Sequence, residues 1–348
     1  MPKANTLTRL ASALTYPLRL DDFLAVIDPR HSSRQLRAVV TKVTPAAPGV
    51  ATLTLRPGRG WLPHMAGQWM RVGVDVGGVR QWRPFTISSP EGEAPSITVG
   101  AAGDVSTKLV NDTRPGDVVF IDQPEGDFLL PAPLTTPLLL VAGGTGATPM
   151  YALISTLLAR LPDADVVLLQ ASRTPQDAIF AAEFAALASR HEGLKVIHWH
   201  SRESGRLKLA ASIDTLVPDW RDRAAYVCGP TSLIADAEAF WSDAGLPLTV
   251  ERFTIPRIVD PDAVGGTVTF ARAGQTLDAP GASSLLEVGE RAGIELPSGC
   301  RMGICRTCLK TLKDGQVRDL VTGSLTGEPG EHIRTCVSAA AGDVTLDA

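Results

Sequence analysis

The spacing of apolar positions divides the chain into three stretches of different rhythm. Between about 35 and 132 it consists of short β-type runs, at 36–44, 50–55, 68–76, 79–87 and 118–121, separated by Gly and Pro. Gly77 and Gly78, between two of those runs, signal a tight hairpin. Many short strands punctuated in this way predict a small antiparallel β-barrel. From about 133 to 255, short, mainly apolar runs at 138–142, 166–171, 196–199 and 225–228 are joined by helical patterns at 150–160, 180–189 and 231–244. Such a succession predicts an α/β domain with a doubly wound parallel sheet, whose ligands sit beyond the carboxyl ends of its strands. The third stretch, 265–348, opens with strand-like runs at 266–272 and 275–279. A short helix over 284–292 follows, with Ser283 or Ser284 as its N-cap and Gly293 just past its end. Residues 256–264 read as a linker. Residues 1–34 stand outside the barrel, and their mixed apolar and charged segment at 18–28 is expected to pack on the body.

A chain of 348 residues exceeds one ordinary hydrophobic core, in keeping with several domains. Its net charge of −4 argues against a dedicated nucleic-acid binder, which would be basic. No apolar stretch approaches the roughly 18 residues needed to span a bilayer. Residues 1–20 lack a continuous apolar core of the kind a signal peptide requires, so a cytoplasmic location is expected.

The chain has five cysteines, four of them between Cys300 and Cys336. An odd number, clustered at one end of a long chain, points to metal ligation in a reducing compartment and not to a disulfide framework. Cys300, Cys305, Cys308 and Cys336 have the spacing C-x4-C-x2-C…C. That is the established plant-type pattern for a 2Fe–2S cluster, with three thiolates on one loop wrapped around the irons. Gly299 and Gly303 fit such a loop, because backbone without Cβ can approach the sulfurs. A zinc site would favour paired C-x2-C knuckles, and the chain has one.

Earlier in the chain, the apolar run at 138–142 passes directly into Gly-Gly-Thr-Gly-Ala-Thr-Pro, from Gly143 to Pro149, and then into a helical pattern. A glycine-rich turn between strand and helix lets the backbone approach a pyrophosphate at the helix N-terminus, although an ordinary strand–helix turn has the same look. Cys228, Gly229 and Pro230 stand at the end of another expected strand, where Cys228 could also be a small core thiol.

Two resemblances join these fragments. Residues 265–348 resemble a plant-type ferredoxin, which implies a β-grasp domain of α+β type with its cluster loop near the surface. The elements Gly143, Gly144, Thr145, Gly146 to Pro149, then Cys228-Gly229-Pro230, then Glu251 with Phe253, follow the order found in ferredoxin–NADP⁺ reductase-like proteins. The resemblance implies that Cys228 lies beside the nicotinamide, that Glu251 helps to position it, and that Phe253 covers the flavin face. It also implies that Arg83-Pro84-Phe85-Thr86 is the flavin element Arg-x-Tyr-Ser. Arg83 would then neutralise flavin phosphate, Phe85 would lie against the isoalloxazine, and the Thr86 hydroxyl would reach flavin N5. Gly103, Val105, Ser106 and Thr107, at a helix start, would hold a pyrophosphate through amides and hydroxyls, which favours FAD over FMN. The departures are Phe85 and Phe253 for tyrosines, Thr86 for serine, and continuation of the chain beyond Phe253.

The order of modules implies a reductase that takes hydride from a nicotinamide onto flavin and passes single electrons to the cluster. A pure electron carrier would need no nucleotide motif, and a redox sensor would bring a signalling module. Ser172 and Arg173 stand where the ribose is read, with Arg206 assisting; an arginine in place of an acidic residue favours NADPH and leaves NADH open. His198 and His200 alternate on a strand and read as structural or solvent-facing. Residues 1–34, Gly58-Arg59-Gly60-Trp61 and the cluster loop resemble actinobacterial-type reductases of membrane acyl-desaturases or related hydroxylases. The redox partner implied is such a protein, reached by peripheral contact at the membrane. Cytochrome P450 and Rieske oxygenase partners remain alternatives. Arg301 and Arg306, flanking the cluster loop, are candidates for steering an acidic partner face.

Overall fold

The computed structural model describes residues 27–32, 35–134, 137–253, 258, 260, 262–298, 301, 303 and 306–348. These fall into two compact units. The first runs to Glu251 apart from Gly77–Pro84, which group with the second, Arg252–Ala348. Of the segment at 18–28 only Ile27 and Asp28 are described. Beyond it Arg30 pairs with Asp28, and its side chain reaches the Pro57 carbonyl at 3.5 Å.

The barrel consists of β1 (Arg37–Ala47), β2 (Val50–Pro57), β3 (Trp69–Val76), β4 (Val79–Thr86), β5 (Ser96–Gly100), helix α1 (Asp104–Asn111) and β6 (Val118–Ile121). The strand order is β4-β3-β6-β1-β2-β5. Along β2 the period-two pattern buries Ala51, Leu53 and Leu55 and turns Thr52 and Thr54 outward, which sets the register against β1. Met70, Val72, Ile97, Val99 and Ile121 complete the core, onto which α1 packs Val105 and Leu109. Strand β5 was not expected. Its alternation is clear, but it is only five residues long and follows a stretch rich in Pro, Glu and Gly.

The nucleotide domain follows: β7 (Leu138–Gly143), α2 (Ala147–Arg160), β8 (Val166–Ser172), α3 (Ala181–Ala188), β9 (Leu194–His200), α4 (Leu209–Leu216), β10 (Ala224–Cys228), α5 (Thr231–Asp243) and β11 (Leu248–Glu251). The strands are parallel in the order β11-β10-β7-β8-β9. β7 is central and buried on both faces, which is why it reads as an unbroken apolar run. The order reverses between β7 and β10, so the loops after these two strands diverge at the switch point where such sheets bind ligands. Helix α2 begins at Ala147, earlier than expected, and takes Thr148 and Pro149 into its first turn. Proline is tolerated there because its missing N–H would have had no intrahelical partner. Phe180, expected inside the next helix, instead precedes α3 in a left-handed conformation with φ of 63°.

In the second unit, β12 (Gly266–Phe270) and β13 (Gln275–Ala279) form a hairpin. They are followed by α6 (Leu285–Arg291), β14 (Leu309–Asp314), β15 (Val317–Asp319), β16 (Leu325–Thr326), β17 (His332–Arg334), β18 (Ser338–Ala340) and β19 (Val344–Leu346). A five-stranded sheet, β13-β12-β19-β14-β17, is accompanied by a three-stranded one, β16-β15-β18. Helix α6 starts at Ser284, whose hydroxyl accepts from the Glu287 N–H while the Glu287 carboxylate accepts from the Ser284 N–H. Leu285 and Val288 join the main core with Phe270, Leu312 and Val344. Leu286, on another side of the helix, packs with Cys308, Cys336 and Val337. Among the described residues no helix is long and apolar enough to cross a membrane.

Candidate active site

At the carboxyl end of β7, Gly144–Gly146 make a single 3-10 turn before α2. Absent side chains let this turn pack directly on the backbone after β10. A Cβ on Gly146 would lie 2.1 Å from the Cys228 carbonyl oxygen, and one on Gly143 would lie 2.7 Å from Pro230 Cδ. Gly144 has φ of 54°, which glycine adopts without strain. Beside the turn opens a cavity of about 420 Å³ lined by Gly143, Gly144, Thr145, Ser172, Arg173, Arg206 and Pro230. Four of the expected nucleotide residues do not line it: Gly146, Pro149 and Cys228 are buried, and Gly229 contributes the close approach to Gly143.

The cavity also holds residues that the sequence did not single out, among them Asp177, Lys208 and Asp236. Arg173 is largely exposed, and its guanidinium lies 3.3 Å from Asp177, whose carboxyl is held below its ordinary range first by the Thr174 hydroxyl. Ser172 donates to the Thr174 carbonyl at 2.8 Å, leaving its oxygen to accept from His200 Nδ1–H at 2.9 Å. His200 stacks on His198, so this pair is built into the edge of the sheet. Neither Arg206 nor Lys208 has an ion-pair partner among the described residues. Leu207 between them is buried while both cations are exposed. That alternation is the signal by which Lys208 was discoverable.

Cys228 and Glu251 end neighbouring parallel strands on the same rung of the ladder. Burial, and then the charge of Glu251, push the Cys228 thiol well up, so it stays neutral. Burial, and then Asp127, push the Glu251 carboxyl up to about 7. The rung thus offers an uncharged thiol beside a carboxyl that can hold or release a proton near neutrality. Phe253 is half-buried.

In the barrel, Arg83, Pro84, Phe85 and Thr86 are consecutive on β4. Thr86 is buried, Phe85 packs against the barrel core, and Arg83 donates to the Trp82 carbonyl at 2.9 Å. At the start of α1 the Ser106 hydroxyl donates to the Gly103 carbonyl and accepts from the N–H groups of Ala102 and Gly103. Val105 turns its side chain into the core. What the helix start presents outward is backbone N–H beside the exposed Gly103, where no Cβ intervenes, a fit for a flavin pyrophosphate.

Cys308 and Cys336 are buried thiols, not joined in a disulfide, with sulfurs 3.2 Å apart. The contact with Cys336 lowers the Cys308 thiol from its ordinary range, toward the thiolate that metal binding requires. Two converging thiols in an apolar surround fit two ligands of an iron–sulfur cluster. Cys300 and Cys305 lie outside the described residues. Arg301 is not a solvent-facing steering charge: its guanidinium is mostly buried and makes a two-pronged ion pair with Glu290. Arg306 is exposed.

Comparison with known proteins agrees with this geometry. The oxidoreductase NAD-binding domain family matches residues 140–239, and the 2Fe-2S iron-sulfur cluster binding domain family matches 268–341. An NADPH oxidoreductase of Mycobacterium tuberculosis is 41% identical, over 99% of this chain and 93% of the relative. The ferredoxin reductase component of 3-ketosteroid-9-alpha-monooxygenase from Mycolicibacterium smegmatis is 30% identical, over 74% of this chain and 78% of its own. The solved structure of phthalate dioxygenase reductase, described as a modular structure for electron transfer from pyridine nucleotides to [2Fe-2S], covers 90% of this chain and 98% of its own. It superposes with a TM-score of 0.67 at 25% identity. The chain belongs to the ferredoxin–NADP⁺ reductase-like oxidoreductases, which use FAD and NAD(P)H and here carry a C-terminal 2Fe–2S ferredoxin domain.

Proposed function

We propose that this reductase prefers NADPH and delivers single electrons to the terminal component of an oxygenase. The observation that carries the cofactor preference is the cavity at the switch point, where Arg206 and Lys208 stand without ion-pair partners among the described residues and Arg173 adds a third cation. Such a cluster suits the dianionic 2′-phosphate of NADPH, and the M. tuberculosis relative is named an NADPH oxidoreductase. The oxygenase partner is supported by the monooxygenase and dioxygenase reductases among its relatives and structural neighbours. That support favours an oxygenase over the membrane acyl-desaturase or hydroxylase suggested by the sequence. A cytoplasmic setting suits thiolates that must stay reduced.

In this reading FAD, when bound, supplies the exchange between a hydride pair and single electrons. The chain's own residues bind and orient. Gly143–Thr145 and the start of α2 hold the nucleotide pyrophosphate, while Ser172, Arg173, Arg206 and Lys208 hold the ribose end. Cys228, kept neutral by burial, packs beside the nicotinamide without attacking it, and Glu251 positions the ring. Arg83, Phe85, Thr86 and the Val105 amide, beside the exposed Gly103, seat the flavin, and Phe253 covers its exposed face. Cys308 and Cys336, with Cys300 and Cys305, hold the cluster.

The cofactor proposal is tested by kcat/KM with both nucleotides. Wild-type protein should favour NADPH, and Arg206→Ala together with Lys208→Ala should raise KM for NADPH by about tenfold or more with little change for NADH. NADH used as well as NADPH by the wild type, with no change in the double variant, would refute it. For the partner, product formation should be coupled to NADPH oxidation with a Rieske-type oxygenase component. Coupling to an acyl-desaturase alone would return the partner to the sequence-based expectation.

A further inference from the structure

The turn that carries the fourth cysteine, between β17 and β18, is stitched to the cluster loop by two consecutive side chains. Arg334, at the end of β17, donates from Nη1 to the Gly303 carbonyl at 3.0 Å and from Nη2 to Asp319 Oδ2 at 2.7 Å. Thr335 donates to the Cys308 carbonyl from both its backbone N–H, at 3.2 Å, and its hydroxyl, at 3.0 Å. Cys336 follows at once. Gly303 and Cys308, which bracket Cys305 in the sequence, are therefore tied to one short segment ending in the fourth ligand.

The Arg334 link is built as a clamp. Asp319 does not swing freely, because its other carboxylate oxygen accepts the N–H groups of Val321 and Thr322, at 2.8 and 3.0 Å. Those amides and Arg334 hold its carboxyl below the ordinary range despite burial. The segment is fixed from behind as well, since Leu320 N–H donates to the Val337 carbonyl and Leu286 N–H to the Thr335 carbonyl. At the loop end Gly303 has φ of 72°, and a Cβ there would lie 2.9 Å from Val337. Gly303 thus meets Val337, next to Cys336, at a point that favours glycine, and Arg334 holds it there by its carbonyl.

We propose that Arg334, anchored by Asp319, is a positioning residue for the 2Fe–2S cluster. It ties Gly303, which lies between the first two cysteines in sequence, to the turn bearing Cys336, and so sets how firmly and in what electronic surround the cluster is held. Its planar fork serves two acceptors at once, which a lysine ammonium on the same backbone position cannot do with fixed geometry. A cation tied to the loop also favours the extra negative charge of the reduced cluster.

The test uses full-length holoprotein. Cluster loss under excess iron chelator is followed by visible absorbance, and the reduced protein is examined by EPR and potentiometry. In Arg334→Gln, cluster loss should quicken about tenfold, the consequence of one lost charge-assisted hydrogen bond. Its EPR g-values should shift and its midpoint potential should fall. Arg334→Lys should fail to restore the wild-type rate, whereas Asp319→Asn, which keeps an accepting oxygen, should give a smaller change. Wild-type chelation rates with an unchanged EPR spectrum in Arg334→Gln would overturn the proposal. So would full rescue by Arg334→Lys, or an equal loss of thermal stability in the cluster-free variant that accounts for the whole effect. None of these readouts needs turnover, so failure of NADPH oxidation in wild-type protein would count against the reductase reading and leave the clamp to be judged separately.

Discussion

In the nucleotide domain the ligand cavity is shaped by backbone, with Gly143 and Gly146 lying against Cys228, Gly229 and Pro230 at separations no Cβ would allow. In the cluster domain the corresponding work is done by side chains: Arg334 and Thr335 reach across to Gly303 and Cys308, and Glu290 neutralises Arg301. The first arrangement is set by backbone, because a parallel sheet fixes both loops at a switch point. The second gathers thiols whose favourable state is the deprotonated, metal-bound one. Damage to the first should therefore appear as altered nucleotide binding in a folded protein. Damage to the second should appear as loss of the metal group and of onward electron transfer alone.

The sharpest way to break this contrast is Cys336→Ser. Cluster absorbance should be lost and cytochrome c reduction should drop by at least about tenfold, while NADPH–ferricyanide activity through the flavin persists. Equal loss of both activities would mean that the two units are not independent in function.

The difference between the regions also governs how much could be read from the sequence. Cysteine spacing identified the cluster because ligand number and geometry constrain it tightly, and the period of apolar residues gave the parallel sheet because β7 is buried on both faces. Strand β5 was hidden by its five-residue length. The left-handed Phe180 broke a helical pattern that its apolar side chain appeared to continue. Arg301 is a candidate steering charge by its place beside the cluster loop, whereas an ion pair within its own neighbourhood engages it. Residue type shows what a group can offer; only the fold shows whether a neighbour already takes it. Lys208 is the converse case, a cation made available by the burial of Leu207 beside it.

Two further experiments sharpen the nucleotide side. Stability of the Cys228–Glu251 rung should depend on pH. Folded Glu251 holds its proton up to about 7, whereas an exposed glutamate releases it near the ordinary 4.5. The native state therefore binds a proton that the unfolded chain has already lost, and stability should fall as pH rises across that interval, by at most about 3 kcal/mol. In Glu251→Gln this component of the fall in Tm should disappear; parallel Tm curves for variant and wild type would contradict it. Gly146→Ala should produce a comparable or smaller effect. Its methyl group meets the Cys228 carbonyl and must displace one of the two loops, at about 1–3 kcal/mol. KM for NADPH should rise while the cluster EPR spectrum stays unchanged.

The most direct measurement is anaerobic mixing of wild-type protein, loaded with flavin and with full iron and acid-labile sulfide, with NADPH while optical and rapid-freeze EPR signals are followed. Bleaching of flavin absorbance should be followed by the EPR signal of a reduced 2Fe–2S cluster within the turnover time. NADPH oxidation with the flavin bleached and the intact cluster still oxidised would contradict the account.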